Sequence, residues 1–293
     1  MAQPQASQEQ DKLLTKDQKS KLGLVVSYAI VFIMIAIALY PTIWILSASI
    51  NPNNSLSSSS LIPDGATLAN FKELLTDDNY PFFTWYWNSI KMGVFSSTLA
   101  VALTAMSGYI FAKLDFWGRN YGLMTFLIIQ MFPPMMSIVA IYVLLSMFGL
   151  LDTHTGLLIV YTGGAVPFAS WMLKGYFDSI PTSLVDAAKI DGASQWRIFW
   201  QIMLPLAKPM LAVVAMFNFV KPFSDFILAS LLLQSQEKLT LAVGLYRMVA
   251  NQFTNDWTLF AAGAVMSAIP VMILFLSMQR FFISGLSAGA TKE

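Results

Sequence analysis

Lys221 and Asp225 are the only charged side chains inside the long apolar runs of this 293-residue chain. A helix puts residues four apart on one face, so the two could pair. Each charge at the centre of a membrane helix costs about 2.5–3.5 kcal/mol on the insertion scale. They read either as an ion pair facing a neighbouring helix or as the polar lining of a path through the bilayer. An ion-coupled transporter would use the same pair as coupling residues, although the two halves of the chain show no convincing internal repeat. Gly163, Gly164 and Pro167 cluster in another apolar run and predict a broken helix, which lipid tolerates only beside protein or a watery cavity. Gly163 and Gly164 therefore join Lys221 and Asp225 as candidate path residues.

Other chemistry is narrowly limited. The chain has no cysteine and one histidine, His154, which excludes disulfides, thiolate metal sites, cysteine nucleophiles and multi-histidine metal sites. His154 falls at a helix end and predicts a solvated or capping side chain. G-x-x-x-x-G-K-[ST], H-E-x-x-H and G-x-S-x-G are all absent, so no P-loop, zinc-protease or hydrolase site is expected. An integral membrane enzyme would lack its catalytic set, while a pure scaffold remains a third reading. The energy for any transport must come from elsewhere. A net charge of +1 also argues against nucleic-acid binding through a broad basic surface.

The stretch 178–208 is the most informative. Ser183 followed by Asp186 fits a capping box and predicts a short helix over 183–190. Gly192 stands where a left-handed residue commonly ends a helix. Ser194 can cap a second helix, with Trp196, Phe199, Trp200 and Met203 on one apolar face and Pro205 at its end. Two short helices joined at a glycine bend suit either an amphipathic surface element or a docking knob, and Ala187 and Ala188 would let a partner approach closely.

The elements around these residues follow from hydropathy. Hydrophobic residues make up 56% of the chain and charged residues only 11%, too few charges to cover a soluble globule. Runs at 22–46, 92–112, 120–151, 155–173, 209–233 and 257–279 are long enough for six membrane helices. The first is preceded by Lys12, Lys16, Lys19 and Lys21 like a secretory signal, but its length favours a retained helix. The tail before it is expected to be disordered. Of the 17 Lys and Arg, twelve fall on the side of the N-terminus and four on the other, which places both termini in the cytoplasm. Thr67 can cap a helix over 68–75. Tyr40, Trp44, Trp85, Tyr86, Trp87 and Trp257 predict interfacial anchors. Ala100, Thr104 and Gly108, and likewise Ala264 and Ala268, form small-residue stripes for close packing. The segment 234–256 is expected to be an outer loop.

Asp186-Ala187-Ala188, Gly192, Ile202, Leu204 and Pro205 resemble the E-A-A-x3-G-x9-I-x-L-P loop of ABC importer permeases, with Asp in place of Glu. Trp87-Asn88-Ser89, Gln130-Met131-Phe132-Pro133, Lys174-Gly175-Tyr176-Phe177, Thr240-Leu241-Ala242-Val243-Gly244 and Gly285-Leu286-Ser287-Ala288-Gly289 are similar to MalG-type permeases of maltose and maltodextrin importers. The resemblance implies an all-α, polytopic type I permease fold. Its parts would be a tail over 1–21, a six-helix domain over 22–283 and a tail over 284–293. It further implies a second homologous permease, two ATPase subunits that bind ATP and Mg, and an extracytoplasmic sugar-binding protein, in a bacterial cytoplasmic membrane. No cofactor is expected in this chain. Leu184, Asp186, Ala187, Ala188, Asp191, Gly192, Leu204 and Pro205 would couple to the ATPases, with the tail from 285 also touching them. Asn251, Gln252, Phe253 and Thr254, within 246–256, would reach the binding protein.

Overall fold

The computed structural model describes residues 16–55, 60–250 and 255–290, and no strand occurs among them. Helix α1 (Lys16–Ser49) starts six residues before the apolar run, so the end of the predicted tail is helical. Its side chains are exposed from Gly23 to Leu46, and it meets the rest of the bundle mainly through α13 (Trp257–Ala290). A short helix α2 (Ala69–Thr76) follows, with Thr67 Oγ1 accepting from the Ala69 N–H at 3.1 Å.

The core is built on α3 (Phe82–Lys113), crossed tightly by α6 (His154–Ser179) and α10 (Lys208–Ser224). Small residues permit these approaches. Ala100 and Thr104 are fully buried, and a Cβ added at Gly108 would lie 2.8 Å from Leu173 Cβ. At Gly93 it would lie 2.8 Å from the Phe219 carbonyl oxygen. Ser96 Oγ donates to the Asn218 carbonyl at 3.1 Å across the same contact. The second stripe packs less: Ala264 is half-buried and Ala268 exposed.

The third apolar run is two helices, α4 (Arg119–Met131) and α5 (Pro134–Met147), bent by 103°. Pro133 and Pro134 explain the break. Proline pushes the residue before it out of the helical region, and Phe132 and Pro133 are extended. The predicted break in the fourth run does not occur: α6 passes unbroken through Gly163, Gly164 and Pro167. A break occurs instead at Asp225, between α10 and α11 (Ile227–Leu232). Among the described residues, four helices are long and apolar enough to cross a membrane, and up to six crossings result if the bent pairs 121–147 and 195–224 each count as one.

After α6 come α7 (Thr182–Ile190), α8 (Gln195–Ile198), a π-helical stretch at Phe199–Met203 and α9 (Leu204–Leu206). The segment expected as an outer loop holds a 3-10 turn (Gln236–Lys238) and α12 (Leu241–Val249). Helix α12 buries Leu241, Val243, Gly244, Leu245 and Met248 against α3, α10 and α13. Trp85 is correspondingly not an interfacial anchor. It is 1% exposed, sits over Gly244, and donates from Nε1 to the Gln236 carbonyl at 2.7 Å.

Candidate functional sites

The first site is an elbow. Helix α7 begins directly after Pro181, with no side-chain cap, so the expected Ser183–Asp186 box does not form. Its other end is a Schellman motif. The Ala193 N–H donates to the Ala188 carbonyl at 2.9 Å and the Gly192 N–H to the Lys189 carbonyl at 3.0 Å. Gly192 has φ 78°, a conformation that glycine adopts freely. Ser194 caps α8, accepting from the Arg197 N–H at 3.3 Å.

Val185 and Ala188 bury one side of α7 in a cluster with Tyr109, Phe177, Ile198, Phe199 and Met203. The predicted apolar face is thus half right: Phe199 and Met203 are buried, whereas Trp196 and Trp200 are exposed. The π-helical stretch widens the turn between them, which a 3.6-residue period does not anticipate. Two polar ties reach the end of α3. Lys113 Nζ donates to the Ile180 carbonyl at 3.0 Å, and the Tyr109 hydroxyl donates to Gln195 Oε1 at 2.8 Å. The opposite side of the elbow is open. Leu184 is 45% and Ile190 87% exposed, beside exposed Asp186, Ala187, Asp191 and Gly192. Leu204 is half-buried and Pro205 exposed further along. The elbow can therefore present apolar and acidic contacts on a rigid backbone while its inner face is fixed to the bundle.

The second site is a cavity of about 350 Å³ whose lining includes Gln130, Ser137, Gly163, Gly164, Lys221 and Asp225. All four candidate path residues meet there. Lys221 and Asp225 do not form an ion pair. Both turn to Tyr161 instead, a fully buried side chain on α6. The Tyr161 hydroxyl donates to Asp225 Oδ2 at 2.8 Å, and Lys221 Nζ lies 4.9 Å from the centre of its ring. Asp225 Oδ1 accepts from the Leu228 N–H at 3.3 Å and so caps the start of α11. The helix break moves the carboxylate off the face it would share with Lys221 in a continuous helix. Tyr161 went unnoticed in the sequence because it lies 64 residues from its partner.

A polar clamp ties the turn before α12 to the α5–α6 connection. Asp152, at φ 54°, accepts from the Gln234 N–H at 2.9 Å, the Ser235 N–H at 3.0 Å and Lys238 Nζ at 3.1 Å. Burial pushes the Asp152 carboxyl up, but hydrogen bonds from the Ser235 hydroxyl, the two N–H groups and Lys238 outweigh it. Together they hold the group well below the usual carboxylate range. His154 is half-buried and leaves the capping of α6 to Thr153; its Nε2 lies 2.8 Å from the Lys238 carbonyl oxygen. Nearby, burial and a hydrogen bond to Asp256 push the Tyr80 hydroxyl up to about 12. Asn251, Gln252, Phe253 and Thr254 lie outside the described residues.

Residues 101–287 match the family described as "Binding-protein-dependent transport system inner membrane component". The galactooligosaccharides transport system permease protein GanQ of Bacillus subtilis is 43% identical over 272 residues, covering 92% of this chain and 96% of that protein. The maltodextrin transport system permease protein MdxG of the same organism is 39% identical over 271 residues, covering 92% and 97%. A chain of a bacterial ABC transporter involved in the import of the acidic polysaccharide alginate superposes with a TM-score of 0.78 at 26% identity, covering 90% of this chain and 98% of that one. This chain belongs to the family of binding-protein-dependent transport system inner membrane components. It is a multi-pass ABC importer permease rather than an enzyme, which decides against the ion-coupled transporter, the membrane enzyme and the pure scaffold.

Proposed function

We propose that this chain is the permease subunit of an ATP-driven importer of maltose or maltodextrin. It pairs with a second, homologous permease. Two ATPase subunits, which hold ATP and Mg, dock beneath the pair, and an extracytoplasmic binding protein delivers the sugar. The elbow carries this reading. Its acidic and apolar side is exposed, while its other side is tied to α3 by Tyr109 and Lys113. Residues 186–192 seat in an ATPase groove, with Leu184, Asp186, Ala187 and Asp191 as contacts and Gly192 setting the bend. Ala188 faces the bundle and transmits the push, and Leu204 and Pro205 lie where the moving segment joins α10. Closure of the ATPases tilts α3 and α10, which switch the cavity between its two openings. Lys221, Asp225, Gly163 and Gly164 line the path. Asn251 to Thr254 reach the binding protein from the side opposite the elbow, and the excess of Lys and Arg places both termini and the tail from 285 in the cytoplasm.

The maltodextrin relative supports the cargo, and the galactooligosaccharide relative favours a second reading, a galactose-containing oligosaccharide. The test is uptake of labelled maltotriose and of a galactotriose by the complete transporter in proteoliposomes with its binding protein. Uptake of maltotriose is expected; uptake of the galactoside alone would establish the second reading. An importer unaffected by disruption of the elbow would overturn the coupling role.

A further inference from the structure

The cavity wall assigns different work to its two charges. Asp225 is consumed by structure: one oxygen takes the Tyr161 hydroxyl, the other caps α11, and its own N–H donates to the Lys221 carbonyl at 2.8 Å. Lys221 is spent differently. Its ammonium lies over the Tyr161 ring and makes no hydrogen bond or ion pair among the described residues. The neighbouring wall is glycine. A Cβ at Gly164 would stand 3.8 Å from Lys221 Nζ, and neither Gly163 nor Gly164 puts a side chain between the ammonium and the cavity. An ammonium carries three donors and accepts nothing. Held on an aromatic face, it keeps the donors that do not face the ring free for whatever fills the space.

We propose that Lys221 reads the cargo, donating hydrogen bonds to sugar hydroxyls in the α6–α10 cavity and rejecting oligosaccharides that carry an amino group. This rests on the reading of the cavity as the cargo path. A neutral hydroxyl can accept from the ammonium, whereas a protonated amino group in its place offers only donors and a like charge. Asp225, tied to Tyr161 and Leu228, supplies the counter-charge without competing for the donors.

The test uses the complete transporter with its native partners in proteoliposomes. The probes are maltotriose and a maltotriose with one hydroxyl replaced by an amine, at equal occupancy of the binding protein. The amine-to-neutral uptake ratio is expected to rise about tenfold in Lys221→Met and Lys221→Gln, the scale of one charge-assisted hydrogen bond, and to stay low in Lys221→Arg. An unchanged ratio in both neutral variants overturns the proposal. Because the chain has no cysteine, Ser137→Cys, elsewhere in the cavity lining, adds to this chain a single reporter thiol that leaves Lys221 and the glycine wall beside it unchanged. Its labelling by a water-soluble maleimide is expected to be slowed by maltotriose and not by the amine. Equal protection by both sugars overturns the role of Lys221 alone. Protection by neither overturns the path reading itself.

Discussion

The elbow and the cavity wall are both places where a helix ends and polar groups collect, yet they are built in opposite ways. The elbow is local. A Schellman motif, one glycine and one serine cap make it within about a dozen residues, and its outward side chains are left in the open. The cavity wall is assembled from distance. Asp225 meets Tyr161 across two helices, and Lys221 gains its setting from an aromatic ring and a glycine that belong to α6. A backbone device tolerates side-chain change and fails when the bend is altered. A side-chain device fails when one partner is trimmed.

The largest effect is expected at the bend. Gly192→Pro cannot adopt φ 78°, since proline fixes φ near −65°. The distortion amounts to about 3 kcal/mol or more at that point, and sugar uptake is expected to fall to background while the purified complex still contains the permease. Uptake at the wild-type rate would break the distinction. In the cavity wall, Tyr161→Phe leaves Asp225 Oδ2 without its donor. A loss of about 1.5–3 kcal/mol is expected in thermal unfolding of the purified complex, the range for hydrogen bonds to charged groups. Tyr109→Phe removes the tie to Gln195 and is expected to cost about 0.5–1.5 kcal/mol by the same assay. It should also weaken ATPase stimulation by loaded binding protein more than Tyr161→Phe does.

The clamp at Asp152 adds a pH arm. Its carboxyl is held below the usual range in the folded state, so its stabilisation is complete above about pH 4 and is lost as pH falls towards the folded value. The difference in melting temperature between wild type and Asp152→Asn is expected to stay constant between about pH 5 and 8 and to shrink below about pH 4. The smallest effect is expected at the Asp186–Lys189 pair, 3.6 Å apart with the Asp186 side chain 62% exposed. Asp186→Ala should change stability by no more than about 0.5 kcal/mol, so a large fall in coupled uptake there would isolate the docking contact.

How much was legible in the sequence follows the same division. Gly192 and Ser194 announce the bend because their conformations are set by neighbours within a few residues. The apolar runs of α1, α3, α6 and α13 were also plain, since hydropathy sums over a whole helix. The break at Asp225 was not, because it involves an acidic side chain that accepts from the start of the next helix, three residues beyond Pro222. Pro167 misled in the other direction: α6 carries it beside the cavity and stays whole. Trp85 suggested a water–lipid boundary by its type, but its place beneath α12 depends on a segment more than a hundred residues away.

That small helix also bears on how the bundle comes together. Nine residues rise about 14 Å, less than half the thickness of a hydrocarbon layer, so α12 can neither be inserted as a crossing nor rest alone in lipid. Its seat exists only once α3, α10 and α13 stand side by side. Helix α13 must therefore be delivered before α12, which precedes it in synthesis, can slot home like a keystone.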